Sequence, residues 1–186
     1  MITIIALLGK TSSGKDTAAR YIKEKYGIEP VVSYATRPKR DGEIDGREHY
    51  FVSDETMDEI TSDKDSLLAF VQFPKTGYRY CASTKDLADG DVKTYIIDPS
   101  GLEWLKRNRP DVKVVSVYFK LPEDIIRERA LKRGDDPADI EKRLDSERTM
   151  FSEFENAGEY DIEICTDDTP ENIQTKLDEF LEKMHV

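Results

Sequence analysis

The sequence lacks the features that mark membrane-spanning and secreted proteins. Its 186 residues contain two cysteines, Cys81 and Cys165, without metal-ligand spacing, so we expect reduced thiols rather than a disulfide. No apolar run approaches the roughly 20 residues that span a bilayer. The short apolar run at residues 2–8 has no basic leader and enters a glycine-rich loop directly, unlike a secretory signal. We therefore predict a cytoplasmic protein with no membrane partner.

The chain also lacks an excess of positive charge. It has 39 acidic and 28 basic side chains, for a net charge of −11. Proteins that hold nucleic acid by its backbone need a basic surface, so no nucleic-acid partner is expected, although a local basic pocket for one small anion is compatible with this charge. The sequence does not determine the oligomeric state.

Strand-like and helix-like segments alternate along most of the chain. Strands are predicted over residues 2–8, 31–33, 93–97, 112–119 and 162–166. Helices are predicted over residues 15–25, 101–108, 122–132 and 137–154, and from 170 onward. This alternation is typical of an α/β fold in which helices flank a parallel sheet. Residues 33–84 interrupt it with turn residues and short apolar runs, which favours an inserted β-rich lobe.

A phosphate-binding motif, G-x-x-x-x-G-K, lies between the first predicted strand and helix. Its residues are Gly9, Lys10, Thr11, Ser12, Ser13, Gly14 and Lys15. The glycines let backbone N–H groups point at phosphate oxygens, and the helix N-terminus adds its positive dipole end. Lys15 is suited to neutralise the β- and γ-phosphates of ATP. The alternative is a glycine-rich turn that holds no phosphate.

The residue after this lysine departs from the usual pattern. A hydroxyl side chain normally stands there and coordinates Mg²⁺, whereas this sequence has Asp16, followed by Thr17. Asp16 could bind the ion directly or through water, with Thr17 as the next hydroxyl, or metal binding could be altered.

A basic segment stands out in this acidic sequence. Arg37, Lys39 and Arg40 follow Ser33 closely and predict a local cationic pocket. The planar guanidinium group suits bidentate phosphate binding. The alternative is a solvated basic loop.

The stretch from Val32 to Val52 resembles the guanylate kinase family, which carries V-S-x-T-T-R-x-x-R-x-G-E-x-x-G-x-x-Y-x-F-V after its phosphate loop. The resemblance implies a P-loop NTPase-type fold and a kinase that uses ATP, Mg²⁺ and a nucleoside monophosphate, most simply GMP or dGMP. It implies that Ser33, Arg37 and Arg40 hold the acceptor phosphate.

The resemblance places further residues at the acceptor. The family's tyrosine falls on His49, with Tyr50 next, and residues 77–82 resemble G-N-Y-Y-G-[ST], which places Tyr80 on the second tyrosine. Tyr80 is thereby implied to contact the acceptor phosphate. His49 could donate a hydrogen bond to it, better when protonated, or form a structural His–Tyr strand pair.

Two strand ends complete the resemblance in the core. Residues 96–101 resemble L-D-x-D-x-Q-G, which implies that Asp98 lies near Mg²⁺ or the acceptor, with a helix cap as the alternative. Residues 160–168 resemble Y-D-x-x-I-x-N-D-D, with Thr166 where an adenine-contacting asparagine often stands.

A lid is implied by the match of residues 129–134 and 143–144 to R-L-x-x-R-G … R-L. Arg129 and Arg133 would clamp the ATP phosphates, and Arg143 would reach the transferred group. The alternative is that these arginines pair with neighbouring acids such as Asp135. The predicted division is a core of residues 1–32, 85–122 and 144–186, an acceptor lobe of 33–84 and a lid of 123–143.

Base recognition is the weakest part of the match. The family uses a glutamate in an F-x-E-x-A-like run and a serine or threonine after the second tyrosine, whereas this sequence has Ala69 and Ala82 in these places. Gln72 and Ser83 could substitute in part. A kinase for another (deoxy)nucleoside monophosphate, a non-catalytic protein-binding module and a P-loop ATPase are therefore kept as alternatives.

Overall fold

The computed structural model describes residues 1–40, 42–74 and 76–184. No helix in these ranges is long and apolar enough to cross a membrane. The elements, in chain order, are β1 (Thr3–Leu8), α1 (Lys15–Tyr26), β2 (Ser33–Ala35), β3 (His49–Phe51), α2 (Asp54–Ser62), β4 (Leu67–Gln72), β5 (Arg79–Ser83), β6 (Val92–Ile96), α3 (Pro99–Asn108), β7 (Lys113–Lys120), α4 (Glu123–Arg133), α5 (Pro137–Ala157), β8 (Ile162–Cys165) and α6 (Pro170–Lys183).

The main sheet is parallel and has the order β6-β1-β7-β8. β1 lies inside it, and its residues alternate between two apolar clusters. Ile4 and Leu8 belong to the cluster shared with α3 and α5, whereas Ile5 and Leu7 belong to the cluster shared with α1 and α6. Burial on both faces explains why β1 is a continuous apolar run. The predicted parallel sheet flanked by helices is confirmed.

A second sheet, with the order β3-β2-β5-β4, is built from residues 33–83. β2 is parallel to β3 and antiparallel to β5. The strand predicted at residues 31–33 forms instead at Ser33–Ala35, in the second sheet. Before it, Pro30 makes an isolated bridge to Thr94 of the core strand β6. Helix α2 was not predicted, although Ser53 caps it by accepting the Thr56 N–H.

Helices α4 and α5 pack on one another through their own apolar cluster, which includes Ile126 and Leu144. α5 runs without a break from Pro137 to Ala157, so the predicted lid boundary at residue 143 falls inside a helix. The predicted division into core, lobe and lid stays a prediction. Four of its residues, 41, 75, 185 and 186, lie outside the described ranges.

The Asp178 carboxylate joins α6 to α1, the helix that begins at the phosphate motif. It accepts hydrogen bonds from the hydroxyls of Tyr21 at 2.8 Å and Tyr26 at 2.7 Å. It also accepts one from the Lys25 amine at 2.6 Å. These bonds fix α1 against the C-terminal helix and thereby position the loop in front of it.

Asp178→Ala is expected to lower the free energy of unfolding by about 1–3 kcal/mol, because three donors lose a partly buried charged acceptor. Urea denaturation measures this change. Glu179→Ala, at an exposed position of the same helix, is the matched control and should change stability by less than about 0.5 kcal/mol. Equal losses in the two variants would contradict the anchoring role.

Candidate functional site

The phosphate motif forms a tightly curled loop between β1 and α1. A Cβ on Gly9 would lie 2.5 Å from the Ser13 Oγ and 2.8 Å from the Phe119 carbonyl oxygen, so only glycine fits there. Gly14 has φ 93° at the N-cap of α1, a conformation that favours glycine. The buried hydroxyls of Ser12 and Ser13 have no hydrogen-bond partner within the described part of the chain. Unpaired donors in such a loop suit a bound anion.

The Lys15 amine lies across this loop, 3.3 Å from the Lys10 carbonyl oxygen. Burial lowers the pKa of Lys15, while the negative charges of Asp16 and Glu147 act in the opposite direction. Asp16 and Thr17 follow in the first turn of α1, and both are exposed. One cationic side chain and two oxygen-bearing side chains are thus consecutive in the sequence at the end of the loop.

A carboxylate that sequence reasoning missed contacts the loop from α5. Both oxygens of Glu147 accept the Thr11 N–H, at 3.0 and 2.9 Å. Burial raises the pKa of Glu147, and the nearby charges of Lys15, Arg143 and Lys10 oppose this shift. The sequence feature that could have identified Glu147 is its position four residues after Arg143, because residues i and i+4 share a helix face.

Arg37 follows β2 and is held in place by hydrogen bonds to Glu43 and Tyr80. It is 6% exposed, and its two terminal nitrogens donate to the Glu43 carboxylate at 2.6 and 2.7 Å. Its Nε donates to the Tyr80 hydroxyl at 3.1 Å. The hydrogen bonds from Arg37 lower the pKa of Glu43 to about 2. Arg37 and Tyr80 are therefore adjacent, as the resemblance implies, and Glu43 is a second residue that was given no role.

His49 faces the same pocket, whereas Tyr50 does not. The His49 Nδ1 lies 2.8 Å from the Oγ of the buried Ser33, and its ring lies edge-on to Tyr80 at 5.6 Å. Burial, and then the positive charge of Arg37, lower the pKa of His49. Tyr50 is 40% exposed and stacks on Tyr34 at 5.1 Å, since successive side chains of a strand point to opposite faces.

Charged groups continue from this pocket toward the phosphate loop. Arg133 donates to the Asp135 carboxylate through its Nε at 3.0 Å, and Arg143 lies 3.8 Å from the same group. These two arginines, followed by Arg40, lower the pKa of Asp135. Burial, Arg37 and Arg143 lower the pKa of Arg40. Asp135 therefore joins Arg133 to Arg143, and the predicted alternative of ion pairing with this carboxylate is present for both arginines.

Arg129 contacts both the phosphate loop and the residue after β8. It donates to the backbone carbonyl oxygens of Thr166 and, at 3.5 Å, of Ser12. It thus ties α4 to the loop and to the end of β8. Thr166 is 1% exposed, and its hydroxyl donates to the Lys120 carbonyl oxygen at 3.2 Å.

Asp98, Gln72 and Ser83 lie at or just beyond the ends of three different strands. Asp98 caps α3 by accepting the Gly101 N–H at 2.8 Å, and burial raises its pKa. The predicted alternative for Asp98, a helix cap, is therefore present in the structure. Ser83 accepts the Lys85 N–H at 3.1 Å, and Gln72 is exposed at the end of β4.

Glu43→Gln is expected to destabilise the protein most at neutral pH. The pKa of Glu43 is lowered in the folded state from its ordinary 4.5 to about 2, so its stabilising contribution is present above about pH 4.5 and is lost as the pH falls toward 2. The difference in unfolding free energy between wild type and Glu43→Gln, measured in urea from pH 7 to pH 3, should narrow over this range. A difference that stays constant with pH would contradict the assigned ion pair.

Comparison with known proteins points to one family. The sequence matches the model of the family described as "Guanylate kinase" over residues 1–184. The guanylate kinase of Helicobacter pylori (strain ATCC 700392 / 26695) is 33% identical over 144 residues, which cover 76% of this chain and 69% of that protein. The guanylate kinase of Gloeobacter violaceus is 31% identical over 169 residues, which cover 88% and 80% of the two chains.

Solved structures share the fold. The crystal structure of guanylate kinase from Anaplasma phagocytophilum aligns with a TM-score of 0.65 and 23% identity over 98% of this chain and 86% of that one. An uncharacterized protein from Eubacterium ventriosum aligns with a TM-score of 0.53 and 16% identity over 100% and 99% of the two chains. The fold, the loop and the sequence matches together lead to one conclusion: the chain belongs to the guanylate kinase family.

Proposed function

We propose that the protein transfers the γ-phosphoryl group of ATP to GMP or dGMP, giving ADP and GDP or dGDP, in the cytoplasm and without a nucleic-acid or membrane partner. The observation that carries the proposal is the phosphate loop with its unpartnered Ser12 and Ser13 hydroxyls, present in the same fold as a buried arginine, Arg37, beside Tyr80. Phosphoryl transfer requires alignment and charge neutralisation more than covalent chemistry from the protein. Membership of the guanylate kinase family supports the choice of both substrates.

ATP is assigned to the loop from Gly9 to Thr17. Its N–H groups and the Ser12 and Ser13 hydroxyls are suited to the phosphates, and Lys15 to the β- and γ-oxygens. Arg129 is assigned to the ATP phosphates, because its guanidinium group reaches the loop at the Ser12 carbonyl oxygen. Thr166, whose carbonyl oxygen accepts from Arg129, is assigned to the adenine end.

The exposed oxygens at the start of α1 fit Mg²⁺. Asp16 and Thr17 offer one carboxylate and one hydroxyl beside Lys15. Mg²⁺ is commonly bound by one or two carboxylates together with substrate phosphates and water, so this small donor set is sufficient. Asp98 is a further candidate ligand whose carboxylate also caps α3. The ion would neutralise charge on the β- and γ-phosphates.

The acceptor phosphate is assigned to the pocket of Ser33, Arg37, Arg40, His49 and Tyr80. Arg37 is already aligned by Glu43, which leaves it little freedom to lose on binding. Tyr50 is the least favourably oriented of the predicted acceptor residues, because its side chain stacks on Tyr34.

Arg133 and Arg143 are assigned to the transferred group. Both lie at Asp135, between the two sites, where they can neutralise the charge that moves from donor to acceptor. Closure of the predicted lobe (33–84) and lid (123–143) over the core would exclude water and prevent simple hydrolysis of ATP.

A kinase for another nucleoside monophosphate is the second candidate, because two positions that the resemblance assigns to guanine recognition are apolar. Ala69 is 2% exposed and Ala82 is fully buried. If guanine is the base, Gln72 and Ser83 are the polar groups we assign to it, and Asp98 stays assigned to Mg²⁺ or the acceptor nucleotide.

The preferred base is tested by measuring ADP release from Mg-ATP with each nucleoside and deoxynucleoside monophosphate in turn. The highest kcat/KM is expected with GMP or dGMP. A clear preference for dTMP, CMP or AMP would favour the second candidate. No turnover with any acceptor, in a folded protein, would reject catalysis in favour of a binding module.

Arg40→Ala is expected to lower kcat/KM for the acceptor about 10- to 100-fold, because one charge-assisted hydrogen bond to phosphate is lost. The KM for ATP should change much less. Lys39→Ala removes the same charge one residue earlier and serves as the control, with an expected change below about threefold. Equal effects of the two substitutions would show that Arg40 contributes only general electrostatic attraction.

A further inference from the structure

Glu147 is a carboxylate placed among the groups that the proposed function assigns to phosphate. It reaches from α5 to the loop, and both of its oxygens accept the Thr11 N–H. Lys10, Lys15 and Arg143 are the charged groups that act on it most strongly. A negative side chain therefore occupies a neighbourhood built from cations and backbone N–H groups.

We propose that Glu147 is an internal counterion of the phosphate loop and that its negative charge lowers the affinity of the loop for ATP. The inference rests on the proposed function, since it concerns the site assigned to ATP. Glu147 acts through the loop and is therefore a positioning residue.

Two physical effects of this carboxylate oppose one another. In the loop without nucleotide, it satisfies the Thr11 N–H and balances positive charges that would otherwise repel each other. When nucleotide phosphates arrive, the same carboxylate becomes a like charge in a partly buried site, where screening by water is weak. The carboxylate thereby orders the empty loop and lowers its affinity for nucleotide.

The substitution that separates these effects is Glu147→Gln. Glutamine keeps an oxygen that can accept the Thr11 N–H but removes the charge. Glu153→Gln is the matched control, since Glu153 is exposed on the same helix and forms no hydrogen bond or ion pair with the described residues. Calorimetric titration with Mg-ADP measures affinity independently of any acceptor.

Glu147→Gln is expected to bind Mg-ADP about tenfold more tightly than wild type, equivalent to about 1.4 kcal/mol. The KM for ATP should fall, while the KM for the acceptor stays unchanged. Glu147→Ala should also bind more tightly than wild type, but less so than Glu147→Gln, and should unfold at a lower temperature because the bond to the loop is lost. Glu153→Gln should match wild type.

Unchanged or weaker Mg-ADP binding in both Glu147 variants would overturn the counterion role and leave the proposed function intact. A purely structural role predicts that glutamine reproduces wild-type affinity and that alanine weakens it. Absence of Mg-ADP binding to the wild-type protein would be a different result, which would reject the proposed function together with this inference.

Discussion

Carboxylates of the same chain hold the cations of the candidate site in place. Glu43 fixes Arg37 with two hydrogen bonds, Asp135 joins Arg133 to Arg143, and Glu147 contacts the loop beside Lys15. Cations brought together without such partners would repel one another, and a nearly buried arginine would be costly without a counterion. The rest of the site depends on this balance of charge.

The same balance explains how an acidic protein can recognise phosphate. The net charge of −11 would repel an anionic substrate if it acted uniformly. Screening limits the reach of exposed charges to about 10 Å, so the local arrangement decides what the pocket attracts. In this chain the cations converge between loop and lobe, whereas acids such as Asp54 and Asp58 lie exposed on α2.

The parallel sheet brings distant segments to this site. The phosphate loop follows β1, Asp98 follows β6 and Thr166 follows β8, so all three lie at the carboxyl ends of parallel strands. Ligands of open α/β sheets bind at that edge. The second sheet adds the proposed acceptor pocket, because the chain leaves the core after Pro30 and returns with β6.

Local patterns determined the elements and motifs of this protein. The apolar run of β1, the glycines of the loop and the alternation of strands and helices were readable because each depends on neighbouring residues. The match from Val32 to Val52 predicted an acceptor pocket, although the sequence placed Tyr50 beside His49 without showing which one faces Ser33. The strand geometry decided that, since alternate side chains of β3 point to opposite faces.

The sequence offered the pairing of the lid arginines with Asp135, but only the tertiary structure showed the partners of Glu43 and Glu147. Glu147 meets Thr11 across 136 residues of sequence, and its place on the same helix face as Arg143 does not specify that partner. Helix α2 was not predicted because it is short and has one buried residue, Met57, so it shows little apolar periodicity. Met57 packs against Leu67 and Cys81, which lie on other elements. The sequence by itself thus determined the family, the phosphate motif and the alternation of strands and helices in the core. The packing of α4, α5 and the second sheet around the core decided the pairing of carboxylates with cations, because electrostatic partners are set by distance in space.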